Sequence, residues 1–159
     1  MTIKNKVQTL QEAKQKIQGY CAYQERCHQE VRNRLYEMGL GSNQIDELMV
    51  NLISEGFLNE ERFAKAFAGG KFRMKNWGKI KITHSLESKG LGANCIRTGL
   101  EAIDDNDYLN TLTRLLTRKA EEISGENAFE RRNLIAKYAI QKGFEPDLVW
   151  KVLKDLLPD

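Results

Sequence analysis

Apolar residues recur along this chain at the spacing of a helix face, on both sides of a glycine. Around Gly39, apolar residues stand eight and four positions before it and six and thirteen positions after it, namely Val31, Leu35, Ile45 and Leu52. Spacings of three, four and seven place side chains on one side of an α-helix. A glycine between two such faces is typical of a residue that ends one helix in the left-handed conformation before the next begins.

The same pattern occurs twice more, which predicts a tandem repeat. Gly90 follows Gly39 by 51 residues, and Gly143 follows Gly90 by 53 residues. The equivalent apolar positions are Ile82, Leu86, Ile96 and Ile103 around Gly90, and Ile135, Ala139, Val149 and Leu156 around Gly143. A repeat of about 50 residues, built on helical spacing, predicts units that each bury a small core and support their neighbours.

A third helix precedes each of these helix pairs and is best marked in the segment LNEERFAKAFA. Asn59 can cap the helix, and Glu60 and Glu61 complement the helix dipole in its first turn. The predicted counterparts are Ala13, Ile17 and Tyr20 in the first unit, and Leu109, Leu112 and Leu116 in the third. Pro146 suits the first position of a last helix, and we expect Asp104 and Asp105 to form a loop that ends a helix.

The pattern therefore predicts an all-α fold of about nine helices, arranged as three tandem three-helix units in an elongated, curved array. The predicted boundaries are 5–57, 58–105 and 106–159.

One segment carries a conflicting signal. Lys79-Ile80-Lys81-Ile82 alternates with a period of two, which by itself predicts a strand. The repeat favours a helix instead, because Ile82 occupies the position of Val31. Gly78 then becomes the N-cap, and Trp77 is placed to pack onto Ile82 from outside the helix.

Charge is concentrated in the second unit. The whole chain has a formal charge of +3, but residues 71–97 contain seven Lys or Arg and one acid. This is a net +6 in 27 residues, so the remainder carries −3. Such a concentration indicates a polyanion or an acidic protein surface as partner. Lys79 and Lys81 fall in the first turn of the predicted helix, where cations oppose the helix dipole at a cost of a few tenths of a kcal/mol.

Several classes of function are disfavoured. No apolar run is long enough to span a membrane, and the first residues lack the apolar segment of a secretory signal. Three loosely spaced cysteines favour reduced thiols, hence a cytoplasmic protein, with Cys21 and Cys95 as small buried residues. We expect no metal, no cofactor and no catalytic site, since Gly69-Gly70-Lys71 lacks the remainder of a P-loop and the histidines have no zinc-site spacing.

Three segments of the chain resemble a known protein family. The segment GFLNEERFAKAF, followed by R-x-K-x-WG-x-IKI-x-x-x-L-x-x-KGL, resembles the middle repeat of RecX, the regulator of the RecA recombinase. YCAYQERCHQEVRNRLYEMGL is similar to the family's opening repeat, and YAIQKGFEPDLVWKVL is similar to its closing repeat. The resemblance implies a non-enzymatic, cytoplasmic helical protein that binds the RecA–single-stranded-DNA filament and limits RecA's ATPase and strand exchange. We expect it to act as a monomer.

The candidate partner-binding residues are the basic side chains of the second unit: Lys71, Arg73, Lys75, Lys79, Lys81, Lys89 and Arg97. Whether they contact DNA phosphates or acidic protein is left open by the sequence. Helical spacing favours Phe63 and Phe67 as core residues, and Trp77 is favoured for packing over base stacking. Two alternatives remain, a basic helical module that binds nucleic acid without a recombinase and a structural adaptor that binds another protein.

Overall fold

The computed structural model describes residues 9–125 and 127–158, and the regular secondary structure of these ranges is all α-helix, which confirms the predicted all-α class. They contain nine α-helices and no β-strand: α1 (Leu10–Tyr23), α2 (His28–Glu37), α3 (Ser42–Ser54), α4 (Glu60–Lys75), α5 (Lys79–Ser88), α6 (Ala93–Glu101), α7 (Asp105–Glu122), α8 (Ala128–Gln141) and α9 (Pro146–Leu156). Within these ranges, no helix has both the length and the apolar character needed to cross a lipid bilayer.

Polar side chains begin the first helix of each unit. The Asn59 side chain accepts a hydrogen bond from the Arg62 amide at 2.8 Å, as predicted. Asp104 likewise accepts from the Asp107 amide at 2.9 Å. Asp104 lies in the loop after α6 and caps α7, whereas Asp105 is the first residue of α7, so the predicted loop is wrong for Asp105. Pro146 occupies the first turn of α9, as its fixed φ favours.

The three repeated glycines end helices in the predicted manner. Gly39, Gly90 and Gly143 have φ of 89°, 86° and 102°, in the region that residues with a Cβ rarely adopt. Each glycine directly follows the C-cap residue of its helix, which is α2, α5 or α8. The glycine period therefore marks the corner between the second and third helix of each unit.

The segment with the conflicting signal is helical. Gly78 is the N-cap of α5, and Lys79 and Lys81 stand at its first and third positions. Ile82 is fully buried, as its repeat position requires.

Consecutive helices pack together in threes, α1–α3, α4–α6 and α7–α9. The first three enclose one apolar cluster, which also includes Leu58. A second cluster is continuous from α4 to α9 and includes Cys27 from the start of α2. The second and third units therefore share one core, and Cys27 joins the first unit to it. The predicted boundaries of the units stay a prediction, and the first begins outside the described residues.

The first helices of the units share one register. Ala13, Ile17 and Cys21 in α1 are buried at the positions that Ala64, Ala68 and Phe72 occupy in α4, 51 residues later. In α7 the buried series begins at Tyr108, whereas Leu109 is 43% exposed. The prediction that Leu109 is a core residue is wrong, because Tyr108, four residues before Leu112, completes the apolar face.

The second and third units meet through backbone, at two glycines. The Gly78 amide donates to the Lys142 carbonyl at 2.8 Å, and the Ile80 amide donates to the Gly143 carbonyl at 2.9 Å. A Cβ on Gly78 would lie 2.3 Å from the Gly143 carbonyl carbon, and a Cβ on Gly143 would lie 2.3 Å from the Lys81 Cβ. The start of α5 and the end of α8 are thus held in direct contact, which only glycines allow.

A buried tyrosine completes this junction. The Tyr108 hydroxyl accepts a hydrogen bond from the Lys79 amide at 2.9 Å and donates a short one to the Glu145 carboxylate. Burial and the hydrogen bond to Glu145 raise the pKa of Tyr108 well above its ordinary value. Tyr108 therefore stays a neutral donor that links the starts of α5 and α9.

Candidate partner-binding surface

The structure distributes the seven predicted basic residues over three places. Lys71, Lys81 and Lys89 lie around two aromatic rings on α4 and the α4–α5 loop. Lys79 and Arg97 line a groove beside α5 and α6, and Arg73 lines a separate cavity against α7. Lys75 is the last residue of α4. Its carbonyl oxygen accepts a hydrogen bond from Lys142 of the third unit, which also lies near Lys81.

The first group, with its two rings, forms a surface that we call the lysine–aromatic surface: Phe67, Lys71, Trp77, Lys81 and Lys89. The Lys71 Nζ lies 5.4 Å from the centre of the Phe67 ring and 5.0 Å from that of Trp77. The Lys81 Nζ lies 4.7 Å from the Trp77 ring, and the Lys89 Nζ lies 5.5 Å from the Phe67 ring. The rings meet edge to face with centres 6.5 Å apart. Ammonium groups over aromatic faces at these distances gain about 0.5–1 kcal/mol each at exposed sites.

Acidic side chains form no salt bridge with this surface in the part of the chain that the structure describes. Among the salt bridges in the described ranges, none involves Lys71, Lys81 or Lys89. The rings hold the three ammonium groups in place without cancelling their charge. The surface is therefore electropositive, because its three ammonium groups are positioned by the rings and have no ion-pair partner in the described ranges.

The two rings are only partly buried. Phe63 stacks on Phe67 with ring centres 5.7 Å apart and is buried in the core, as predicted. Phe67 and Trp77 instead pack against the edge of the same apolar cluster, which contains Ile82, and each keeps part of its surface open. For Trp77 this agrees with the interpretation that it packs at the start of α5, and its outer face also carries the lysines.

Lys142 belongs beside this surface and was missed in the sequence. Its Nζ donates to the Lys75 carbonyl at 2.8 Å, across the junction between the second and third units. Desolvation by burial lowers the pKa of Lys142, and the charges of Lys81 and Lys75 lower it further. A signal was available, because Lys142 precedes Gly143 as Lys89 precedes Gly90. Only the contact between the units places it near Lys81.

Lys79 and Arg97 face a different environment. They line a groove of about 500 Å³ whose other charged residues are Glu87, Glu101 and Asp105. The Lys79 Nζ lies 3.9 Å from the Asp105 carboxylate and 4.7 Å from the centre of the Tyr108 ring. These contacts join Lys79 to the junction, and the acids around the groove reduce its attraction for an anion.

Arg73 lies apart from both groups. It lines a cavity of about 280 Å³ with Asn76, Asp107 and Arg114, between the end of α4 and the side of α7. The Arg114 guanidinium donates to the Asn76 side chain at 3.4 Å. The cavity contains two cations and one acid, so its charge is less uniform than that of the lysine–aromatic surface.

The remaining candidate chemistry is sparse. Within residues 9–125 and 127–158, no group of three or more His, Cys, Asp or Glu side chains is arranged to hold a metal ion. All three cysteines are free; Cys21 and Cys27 are buried, whereas Cys95 is half-buried, which corrects the prediction for Cys95. Burial raises the pKa of each of the three thiols, which makes them poor nucleophiles.

The fold and the surface define a class: an all-helical protein of tandem three-helix repeats whose second repeat presents uncompensated lysines on aromatic rings. Residues 59–100 match the family model of the second three-helix domain of RecX. The second unit of this chain is therefore similar to that domain of the RecX family.

Curated relatives and solved structures are similar to the chain over most of its length. The chain is 24% identical over 139 residues to the regulatory protein RecX of Prosthecochloris aestuarii, covering 87% of this chain and 89% of that one. It is 22% identical over 137 residues to the regulatory protein RecX of Oceanobacillus iheyensis. That alignment covers 86% of this chain, but this chain spans only 50% of the length of the relative. The crystal structure of RecX from Lactobacillus salivarius has the same fold, with a TM-score of 0.85, 21% identity, and coverage of 92% of this chain and 96% of that one.

Proposed function

We propose that this protein binds the RecA–single-stranded-DNA filament and inhibits RecA's ATPase and strand exchange, as a cytoplasmic monomer that needs no cofactor and catalyses no reaction. The observation that carries the proposal is the lysine–aromatic surface, which lies in the repeat that matches the RecX model. The related proteins are named as regulators, and such a surface suits a regulator that acts by binding.

The charge distribution supports binding to a filament. Lysines without acidic partners attract a polyanion over a distance of about 10 Å at 0.1 M salt, and contact with phosphates releases counterions. A filament of DNA and protein offers this charge continuously. The protein has several helical units in tandem, so in this proposal one bound molecule contacts more than one RecA protomer. Such bridging would hold neighbouring protomers together and oppose the conformational changes of RecA that accompany ATP hydrolysis.

The test is RecA's ATP hydrolysis on single-stranded DNA at modest salt, with the protein added below the RecA concentration. The wild type should lower the steady-state rate. A rate that stays unchanged at every concentration would contradict the proposal.

The surface itself is tested by Lys81→Glu. Reversing the charge beside Trp77 should weaken inhibition about tenfold or more, because a repulsive charge replaces a contacting one, and the melting temperature should stay within a few degrees. Lys65→Glu is the matched control, since Lys65 is exposed on α4 and lies on the opposite side of that helix from Phe67. Equal effects of the two variants would show that only net charge matters, and would exclude a specific role for the surface.

A further inference from the structure

The first unit carries a cavity that the sequence did not indicate. It has a volume of about 370 Å³ and lies between α1, the α1–α2 loop and α2. Its lining consists only of cationic, aromatic and thioether side chains: Lys16, Tyr20, Tyr23, Arg26, Arg34 and Met38. This is notable because residues 9–57 as a whole contain more acidic than basic residues.

The cations of this cavity are held by aromatic contacts. The Arg26 guanidinium carbon lies 3.7 Å from the centre of the Tyr20 ring, and the Arg26 Nε donates to the Tyr20 carbonyl at 2.9 Å. The guanidinium carbon of Arg34 lies 5.1 Å from the same ring. Tyr23 lies 6.0 Å from Arg26 and is 83% exposed. A fixed guanidinium thus stands beside an aromatic face that is open to solvent.

Few acids compete for these cations. Arg34 lies 3.9 Å from Glu37, an ion pair whose side chains are both more than half exposed, and such pairs contribute little. Glu12 is one helical turn from Lys16 and has its own hydrogen bonds to Thr9. Among the described salt bridges, none involves Arg26 or Lys16.

The cavity occupies the same place in the first unit as the lysine–aromatic surface in the second. The equivalence follows from the 51-residue offset that also relates Gly39 to Gly90 and Ala13 to Ala64. Four residue pairs are related in this way: Lys16 with Phe67, Tyr20 with Lys71, Arg26 with Trp77, and Met38 with Lys89. In each of the first three pairs, one unit has a cationic residue where the other has an aromatic residue, yet both sites place cationic groups over aromatic rings. Cation–ring contacts therefore recur at this place in both units, although the residues at each position differ.

From this recurrence we infer that the first-unit cavity binds a nucleotide of single-stranded DNA, with the phosphate at Lys16 and Arg26 and the base on the Tyr23 ring. A single strand presents a charge and an open base face at every nucleotide, and proteins bind it through basic grooves with stacking aromatics. Duplex DNA hides its base faces, and an acidic peptide has no group that requires the exposed ring. The inference concerns the strand itself and does not depend on RecA.

The experiment uses a fluorescein-labelled oligo-dT of about 20 nucleotides, a length that exceeds the footprint of one such site. Fluorescence anisotropy gives the affinity at about 50 mM salt, where phosphate contacts are strong. Tyr23→Ala removes the exposed ring, and Lys16→Glu reverses a charge at the cavity. Tyr36→Ala and Lys14→Glu are the matched controls, since Tyr36 is 75% exposed on α2 and Lys14 is on α1, both outside the cavity lining. Circular dichroism checks that each variant folds.

We expect Tyr23→Ala and Lys16→Glu each to weaken oligonucleotide binding at least about fivefold, the lower end of the effect of one stacked base, while both controls bind as the wild type does. Wild-type protein that fails to bind the oligonucleotide overturns the inference, as do cavity variants that bind like their controls. If the cavity variants lose inhibition of RecA but bind the oligonucleotide normally, the cavity contacts protein, and the proposed function survives without this inference. If the wild type leaves RecA unaffected but binds the strand through the cavity, the proposed function fails and the inference stands.

Discussion

At the scale of the residue, the side chains that matter most combine an apolar body with one polar group. Tyr108 packs its ring between Phe72 and Phe144, with ring centres 5.8 Å and 5.0 Å away, while its hydroxyl serves the junction. The sequence pattern predicted the neighbouring Leu109, with Leu112 and Leu116, for the apolar face of this helix. Tyrosine was compatible with the apolar spacing, but its hydrogen-bond partners Lys79 and Glu145 are distant in sequence and could not be predicted.

Replacing Tyr108 with Phe should lower the free energy of unfolding by about 1–3 kcal/mol. The substitution keeps the ring but leaves the partly buried Lys79 amide without its acceptor and the Glu145 carboxylate without its donor. Urea denaturation followed by circular dichroism measures the change. Tyr36→Phe, at an exposed position, should have no effect. A Tyr108→Phe protein as stable as the wild type would mean that water replaces the hydroxyl at the junction.

At the scale of the element, the ends of helices decide how units join. The repeated glycines were predictable as helix ends, because a left-handed residue is needed after each cap. The space around these glycines differs from one to another. A Cβ on Gly90 would meet only the end of the Gln29 side chain at 3.9 Å, whereas a Cβ on Gly143 would overlap the start of α5. Two glycines with the same local conformation therefore have different tolerance for substitution.

Gly90→Ala should cost about 1–2 kcal/mol of unfolding free energy, the usual penalty of a left-handed residue with a Cβ. Gly143→Ala should cost clearly more, above about 3 kcal/mol, because its Cβ would also lie 2.3 Å from the Lys81 Cβ and 2.8 Å from the Lys81 nitrogen. Thermal and denaturant unfolding of the two variants provide the comparison. Equal losses would show that the junction opens to admit the methyl group at little cost.

At the scale of the whole molecule, the described chain has two apolar clusters although its sequence repeats three times. The division follows the contacts between units. The second and third units share buried side chains and backbone hydrogen bonds, while Cys27 is the first unit's buried contribution to their cluster. The lysine–aromatic surface and Lys142 lie on this shared part, so its rigidity also fixes the spacing of the cations.

The two clusters should respond separately to mutation. Leu48→Ala opens a cavity in the first cluster and Leu112→Ala opens one in the second, each at about 2–5 kcal/mol. In hydrogen exchange, Leu48→Ala should reduce amide protection in α1–α3 and leave α7–α9 protected. Leu112→Ala should reduce protection from α4 through α9 together. Uniform loss of protection from either substitution would show that the molecule unfolds as one cooperative unit.

The sequence by itself determined the elements of this protein and their order. Apolar spacing, side-chain caps and left-handed glycines act within a few residues, so the helical class, the repeat, the α5 helix and the basic character of the second unit were all predictable. The tertiary structure decided which of the seven basic residues lie together. Lys71, Lys81 and Lys89 meet on two rings, Lys79 turns toward Tyr108, and Lys142 arrives from the next unit. Those arrangements depend on contacts between segments far apart in the chain, and no local pattern encodes them.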